Sequence, residues 1–260
     1  MKTLYFLGGL PRSGSTLLGS LLNQHPDIYV PPTSPLGDFI PEVEEIFKML
    51  DIQYTFDRKK ISYNVYKAIF DNFYNHVSKP VILDKHRFWG QNISLTQEFL
   101  SNKPKIVTTY RSIPEILTSY ISLIERSKQE DNFIDKHLRQ DNLPITNDNR
   151  VQYIWKHSLV PSYESMVYSV TNYPNWIHLV EYNQLVSNPQ KELNKIYEFL
   201  EVSPYVNTFY NIENACKEQK DDAWGIKGLH DIRPNLSKIS QNPIDIIGKE
   251  NVKIYSKFDL

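Results

Sequence analysis

The chain has 260 residues, 40% of them hydrophobic, and a formal net charge of −1 at pH 7. This length and composition suffice for one α/β domain with its own core, and the near-zero net charge argues against a broad nucleic-acid-binding surface. The single cysteine, Cys216, excludes an internal disulfide and a cysteine-rich metal site, and it fits a reducing compartment.

The N-terminal stretch predicts a strand, a glycine-rich turn and a helix. Residues 4–7 are apolar and aromatic, which is typical of a buried strand, and leucines at 17, 18, 21 and 22 repeat at helical spacing. The turn between them reads GGLPRSGST and ends where the helix begins. Free backbone N–H groups and the helix dipole at such a turn suit an anion.

This turn nearly matches the ATP-type phosphate loop G-x-x-x-x-G-K-[ST]. Gly9, Gly14 and Thr16 are in register, but Ser15 stands in the lysine position. The nearest cation is Arg12, inside the loop. Because an arginine fork with backbone amides suits a compact oxyanion group, we expect a ligand other than a metal-bound triphosphate.

The rest of the chain alternates strands with helices. We predict further strands at 27–30, 80–83, 105–109 and 176–180, and helices at 34–50, 61–77, 115–126, 151–170 and 190–200, with a short last helix starting at 242–243. Alternation of this kind predicts a single α/β domain spanning 1–260, with a central, mostly parallel sheet flanked by helices. Residues 128–149 are polar and predict a mobile excursion. No run of residues is apolar and long enough to span a membrane, and no signal peptide precedes the first strand, so we expect a cytoplasmic protein.

Two segments resemble a known family. PRSGSTLL at 11–18 and NQHPDIYV at 23–30 resemble the phosphosulfate-binding loop of sulfotransferases, in particular the tyrosylprotein and Golgi-type branch. The resemblance implies a P-loop-like three-layer fold, with 3′-phosphoadenosine 5′-phosphosulfate (PAPS) as sulfuryl donor. It also implies in-line displacement by an acceptor hydroxyl or amine and no required metal. The residues that would hold the 5′-phosphosulfate are Arg12 and the amides of Ser13, Gly14, Ser15 and Thr16.

The same resemblance implies roles for residues at the ends of later strands. Arg111 and Ser119 would hold the 3′-phosphate, Tyr182 would pack on adenine, and Lys85 would stabilise the leaving oxygen. A segment near 218–240 would cover the donor through Lys227, Gly228, Arg233 and Ser237. The alternatives are a local Arg111–Glu115 pair, a surface Lys85 beside Asp84, a core-filling Tyr182 and a solvated basic loop.

The general base departs from the branch pattern. The branch has a glutamate shortly after His-Pro-Asp, and the equivalent residue here is Thr33, which cannot take a proton at neutral pH. We take Asp38 as the base, with Glu42 and His86 as alternatives. The acceptor stays open among carbohydrate, lipid, small metabolite and peptide.

Two other functions are compatible with the sequence. Residues 81–84 resemble the apolar strand that ends in a metal-binding aspartate, as in an ATP- and magnesium-dependent P-loop kinase. The missing glutamate is also compatible with a catalytically inactive nucleotide-binding protein. Binding of adenosine 3′,5′-bisphosphate (PAP) or of ATP separates the first alternative from a sulfotransferase, and turnover with an acceptor separates the second.

Overall fold

A parallel five-stranded sheet forms the centre of the molecule. The computed structural model describes residues 2–49, 57–97, 100, 103–127, 132–217, 221, 225–238 and 241–260. The strands are Thr3–Gly9 (β1), Ile28–Tyr29 (β2), Val81–Lys85 (β3), Ile106–Tyr110 (β4) and Ile177–Glu181 (β5). They lie in the order β2-β3-β1-β4-β5, and every neighbouring pair is parallel. The predicted α/β class is confirmed.

Helices cover both faces of this sheet. In the described ranges they are Ser15–Leu22 (α1), Leu36–Met49 (α2), Arg58–Phe73 (α3), Ile93–Thr96 (α4), Ile113–Ser127 (α5), Phe133–Gln140 (α6), Asn147–Ile154 (α7), Val160–Asn172 (α8), Tyr182–Ser187 (α9), Pro189–Leu200 (α10) and Pro243–Tyr255 (α11). None of these helices is both long enough and apolar enough to cross a bilayer.

Strand β1 explains why the sheet is covered on both sides. Successive side chains of a strand point to opposite faces. Tyr5 and Leu7 belong to a buried cluster with side chains of α1 and α10, whereas Leu4 and Phe6 belong to a cluster with side chains of α2 and α3. A strand buried on both faces reads as the continuous apolar run seen in the sequence.

The strand order places the ligand-binding edge. From β1 the chain crosses to β2 and β3 on one side, and then returns to β4 and β5 on the other. Open α/β sheets bind ligands outside the carboxyl ends of the strands, where the order reverses. The glycine turn after β1, Lys85 at the end of β3, the two residues 86–87 after it and Arg111 after β4 all lie at this edge.

Two predicted segments differ in the structure. Where the sequence predicts a mobile excursion over 128–149, the described part contains α6, with Ile134 and Leu138 buried. Asp135 of α6 is paired with Arg150 at 2.7 Å, and residues 128–131 lie outside the described ranges. The predicted single helix over 151–170 is α7 and α8 joined by a π-helical turn, Trp155–Leu159.

The predicted covering segment is only partly described. Residues 218–220, 222–224 and 239–240 lie outside the described ranges. Residues 225–238 form turns without a helix or strand.

Candidate active site

The turn after β1 presents backbone donors at the start of α1. Gly14 is the N-cap with φ +93°, and Leu18 makes the first bond of the helical ladder, to Gly14 O at 2.9 Å. The N–H groups of Ser15, Thr16 and Leu17 therefore precede the ladder. Among the described residues, no side chain caps the start of α1, and the first turn of this helix carries no acidic residue. These donors and the helix dipole form a site for an anion.

Ser13 connects this turn to the neighbouring strand β4. Its side chain is fully buried, and Oγ lies 2.5 Å from Leu10 O and 2.6 Å from Thr109 Oγ1. Its N–H group donates to Leu10 O at 3.3 Å. Ser13 thus ties the turn to β4, and its amide, which we predicted as a ligand donor, is already bonded within the turn.

Arg12 joins three distant parts of the chain. It has a left-handed backbone, φ +61°. Its Nε donates to Ser119 Oγ at 3.3 Å, and its Nη1 donates to Leu229 O. Burial lowers the pKa of Arg12, and the nearby Tyr120 opposes this, but a guanidinium keeps its charge in proteins. Two predicted phosphate-binding residues, Arg12 and Ser119, are therefore in contact.

Tyr182 connects Arg111 to the turn. The Arg111 guanidinium carbon lies 4.3 Å from the centre of the Tyr182 ring. A Cβ added to Gly14 would lie 2.6 Å from Tyr182 Cδ2, so the ring packs closely on the turn. The alternative pairing is also present, because Arg111 Nε lies 2.8 Å from Glu115 Oε2. Arg111 thus lies beside the turn but holds a carboxylate in this structure.

Lys85 points into the same site and does not form the alternative surface pair with Asp84. Its Nζ lies 3.4 Å from Thr16 Oγ1 and 3.9 Å from Cys216 Sγ. Burial lowers the pKa of Lys85, with Cys216 opposing this effect and Arg87 adding to it. Cys216 Sγ also donates to Pro32 O at 3.6 Å. Sequence reasoning missed Cys216 because nothing near it in the chain indicates a site.

Asp84 lies on the opposite side of β3 from Lys85 and is fully buried. Its Oδ2 accepts from Ser34 Oγ at 2.6 Å and Tyr74 OH at 2.5 Å, and its Oδ1 accepts from Trp89 Nε1 at 2.7 Å. Burial raises the pKa of Asp84 to about 6, although the three hydrogen bonds oppose this. Both oxygens are occupied by structural bonds. In the described ranges, no group of three or more His, Cys, Asp and Glu side chains is arranged around a metal position.

Two of the predicted candidates for the base contact each other. His86 Nε2 lies 3.1 Å from Asp38 Oδ2, and His86 Nδ1 accepts from the N–H of Phe88 at 3.3 Å. The imidazole proton is therefore on Nε2 and points to Asp38. Burial lowers the pKa of His86 and Asp38 partly offsets this. Glu42, the third candidate, is exposed one turn further along α2.

In the described ranges, none of the predicted covering residues has a hydrogen bond or ion pair with the turn. Lys227, Arg233 and Ser237 are exposed, and Arg233 Nη1 donates to Ser237 Oγ at 3.2 Å. Gly228 has φ +75° and accepts from Asp231 N at 3.3 Å. The segment contacts the loop instead through the carbonyl of Leu229, which accepts from Arg12. A backbone acceptor has no signature in the sequence.

The His-Pro-Asp motif has a structural place. His25 Nδ1 accepts from Asp27 N at 3.0 Å, and Nε2 donates to Ser203 O at 2.9 Å. Lys79 Nζ donates to three carbonyls of the same turn, those of Asn23, His25 and Ile28, each at 2.8 Å. The turn after α1 is thereby held against the chain beyond α10.

Comparison with known proteins adds an independent observation. The chain resembles the sulfotransferase domain from the curacin biosynthetic pathway (TM-score 0.51, 16% identity, covering 98% of this chain and 96% of that one). It also resembles a sulfotransferase from Alicyclobacillus acidocaldarius (TM-score 0.50, 14% identity, covering 85% and 87%). A mouse sulfotransferase complexed with PAP aligns less well (TM-score 0.46, 18% identity, covering 79% and 61%).

Because the sequence identities are 18% or lower, these structural similarities show a shared fold only. No curated protein sequence matches the chain significantly. The profile of the sulfotransferase family matches residues 5–205, which include the turn, Lys85, Arg111 and Tyr182. The chain belongs to the sulfotransferase family.

Proposed function

We propose that this chain transfers a sulfuryl group from PAPS to an acceptor hydroxyl or amine at the carboxyl edge of the sheet. The observation that carries the proposal is the contact between Lys85 and Thr16. It brings a cation from β3 to the anion-binding start of α1. The likeness to the tyrosylprotein branch and the cytoplasmic location stay predictions, as do the single domain and the acceptor.

The residues at the edge fit such a donor. The donor supplies a sulfuryl group on a phosphate leaving group, and its anionic oxygens match the N–H groups of Ser15 and Thr16. Ser119 and Arg111 lie on the side of α5, where they would hold a second phosphate, and Arg12 of the turn contacts Ser119. Arg111 must then exchange Glu115 for phosphate, and its stacking on Tyr182 keeps it in place for this. Lys227, Gly228, Arg233 and Ser237 would cover the donor from the 225–238 segment, which contacts Arg12 through Leu229 O.

Lys85 would stabilise the leaving oxygen. Negative charge develops on that oxygen in the transition state, and a positioned ammonium in a site with little water stabilises it strongly. Because Thr16 Oγ1 lies 3.4 Å from Lys85 Nζ, the ammonium is held next to the anion-binding amides. Arg12 would add a second positive charge at the turn.

Asp38 would act as the base and His86 would position it. Both ring nitrogens of His86 are occupied, and its Nε2 proton points to Asp38 Oδ2. The Asp38 side chain is 69% exposed, so its carboxylate is open to an acceptor. Glu42 stays an alternative because it projects from the same exposed side of α2. Thr33 is exposed and has no acid–base function at neutral pH.

The kinase alternative finds little support in the site. A kinase of this type needs an aspartate that is free to bind magnesium, and Asp84 has both oxygens bonded to protein groups. The loop also lacks the lysine, because Ser15 stands there. The alternative of an inactive binding protein is decided by turnover.

Nucleotide-dependent stabilisation tests the proposal. At about one hundred times its dissociation constant, a ligand adds roughly 2.7 kcal/mol to folding stability, which raises the melting midpoint by about 5 °C for a chain of this size. We expect this rise with PAP, equally with and without EDTA, and a much smaller one with ATP and magnesium. A rise with ATP that EDTA abolishes, beside no response to PAP, would establish the kinase instead.

Turnover completes the test. Wild-type protein with labelled PAPS and a panel of alcohols, phenols, sugars and amines should release PAP in step with a labelled product. Binding of PAP without any product across the panel would favour the inactive binding protein.

A further inference from the structure

Glu115 places a carboxylate against the arginine that would hold the 3′-phosphate. Arg111 follows β4 and Glu115 lies in the first turn of α5, so their contact spans the turn between the strand and the helix. Glu115 Oε2 lies 2.8 Å from Arg111 Nε. The side chains are 29% and 12% exposed, respectively, so water and salt screen this ion pair only in part. Glu115 therefore neutralises much of the positive charge that Arg111 could offer to a phosphate.

A second element holds the same carboxylate oxygen. Asn183 Nδ2, in the first turn of α9, donates to Glu115 Oε2 at 3.3 Å. The backbone N–H of Asn183 donates to Glu181 Oε1 at 2.9 Å, which fixes this residue at the start of α9. Asn183 directly follows Tyr182, which packs on the phosphate turn. A Glu115 carboxylate that released Arg111 but stayed bonded to Asn183 would therefore remain close to the donor.

A phosphate and a carboxylate compete for one guanidinium. Both anions form charge-assisted hydrogen bonds with arginine. A nucleotide with a 3′-phosphate contacts Arg111 only by displacing Glu115 or by bringing a second anion next to it, and both lower its affinity. A nucleotide without this phosphate leaves the Arg111–Glu115 pair intact. The carboxylate thus lowers the affinity only for nucleotides that carry the 3′-phosphate.

We propose that Glu115 is a specificity-determining residue whose carboxylate competes with the 3′-phosphate for Arg111, and thereby limits how tightly the site holds PAPS and PAP. The proposal rests on the proposed sulfotransferase function. The product PAP has the same two phosphates as the donor, so a site that binds the donor very tightly also retains the product. Return of Glu115 to Arg111 compensates for the lost phosphate contact when PAP leaves.

A neutral side chain of the same shape tests the competition. Glu115→Gln keeps a side-chain oxygen for Arg111 Nε and Asn183 Nδ2 but removes the charge. We expect it to bind PAP about tenfold or more tightly than wild type in calorimetry. Its affinity for adenosine 5′-monophosphate, which lacks only the 3′-phosphate, should equal that of wild type. Since affinity differences between variants of one site lie mostly in dissociation, PAP should also leave about tenfold more slowly in stopped-flow displacement.

Glu125→Gln is the matched control. Glu125 lies near the other end of α5, where its Oε1 accepts from Asn147 Nδ2 at 3.0 Å. Its substitution removes the same charge and should leave both nucleotide affinities unchanged. An unchanged or lower PAP affinity in Glu115→Gln, or an equal gain for both nucleotides, overturns the competition and leaves the sulfotransferase function intact. Failure of wild type to bind PAP contradicts the proposed function itself.

Discussion

Neighbouring residues of β3 have opposite roles because a strand alternates its side chains. Asp84 points into the core, where three donors satisfy it, whereas Lys85 points to the phosphate turn. The alternative in which these two residues pair is incompatible with this alternation. Asp84 therefore contributes to the packing of the core, whereas Lys85 is available for the reaction.

Removing the Lys85 charge should affect turnover more than binding. Lys85→Met retains most of the side-chain packing but cannot stabilise the leaving oxygen. We expect turnover to fall about a hundredfold or more, with PAP affinity nearly unchanged. Steady-state kinetics beside calorimetry measures both quantities.

A substitution of the proposed base distinguishes the loss of proton abstraction from the loss of leaving-group stabilisation. Asp38→Asn should remove the acidic limb of the pH–rate profile, whereas Lys85→Met should lower the whole profile and keep that limb. Turnover of Lys85→Met close to wild type would mean that Lys85 is not part of the reaction.

Asp84 should make stability depend on pH in an unusual direction. Its pKa of about 6 in the folded protein exceeds the ordinary 3.8, so the folded state binds the proton more tightly than the unfolded state does. Its contribution is fully present below about pH 4 and is lost as the pH rises through about 6, and it amounts to about 3 kcal/mol. Asp84→Asn should remove this loss, because the amide can accept from Trp89 and donate to the two hydroxyl groups.

Urea unfolding at several pH values measures the effect. The difference in unfolding free energy, wild type minus Asp84→Asn, should decrease between pH 4 and pH 7. A constant difference would show that Asp84 has an ordinary pKa in the folded protein.

At the scale of elements, the anion site depends on how β1 turns into α1. Gly14 has φ +93° and no space for a Cβ beside the Tyr182 ring. Gly14→Ala should therefore displace the turn and weaken PAP binding about tenfold or more, because several amide hydrogen bonds are misaligned together.

A matched variant separates backbone strain from the loss of the site. Gly248 in α11 also has a positive φ, +80°, but a Cβ there meets nothing within 4 Å. Gly248→Ala should lower stability and leave PAP affinity unchanged. Unchanged affinity in Gly14→Ala as well would remove the turn from the donor site.

The elements that sequence reasoning recovered are those with local signals. Strands β1, β3, β4 and β5 are short apolar runs, and Asn242 caps α11 as predicted, with its Oδ1 accepting from Ile244 N at 3.2 Å. Helix α6 was missed because its polar face dominates the sequence, although Ile134 and Leu138 are buried. The π-helical turn before α8 was missed because one irregular turn does not interrupt the helical spacing of apolar residues in the sequence.

At the scale of the molecule, the site consists of contacts between residues far apart in the chain. Arg12 meets Ser119 over 107 positions and Leu229 over 217, and Lys85 meets Cys216 over 131. The sequence indicated Arg12, Ser119 and Lys85 through strand ends and family resemblance. It did not indicate their partners, because a carbonyl such as that of Leu229 and a lone thiol carry no pattern.

The place of Cys216 has a practical consequence. The only thiol of the chain, Cys216, is buried, and its Sγ lies 3.9 Å from Lys85 Nζ. A thiol reagent such as 5,5′-dithiobis(2-nitrobenzoate) can reach it only when the packing around it opens, so the labelling rate measures the opening equilibrium. We expect slow labelling of the folded protein, slower labelling with PAP, and immediate reaction in denaturant. Fast labelling that PAP does not change would contradict the buried position of Cys216. The expected result would make the labelling rate of this sulfur a measure of how often the site opens to solvent.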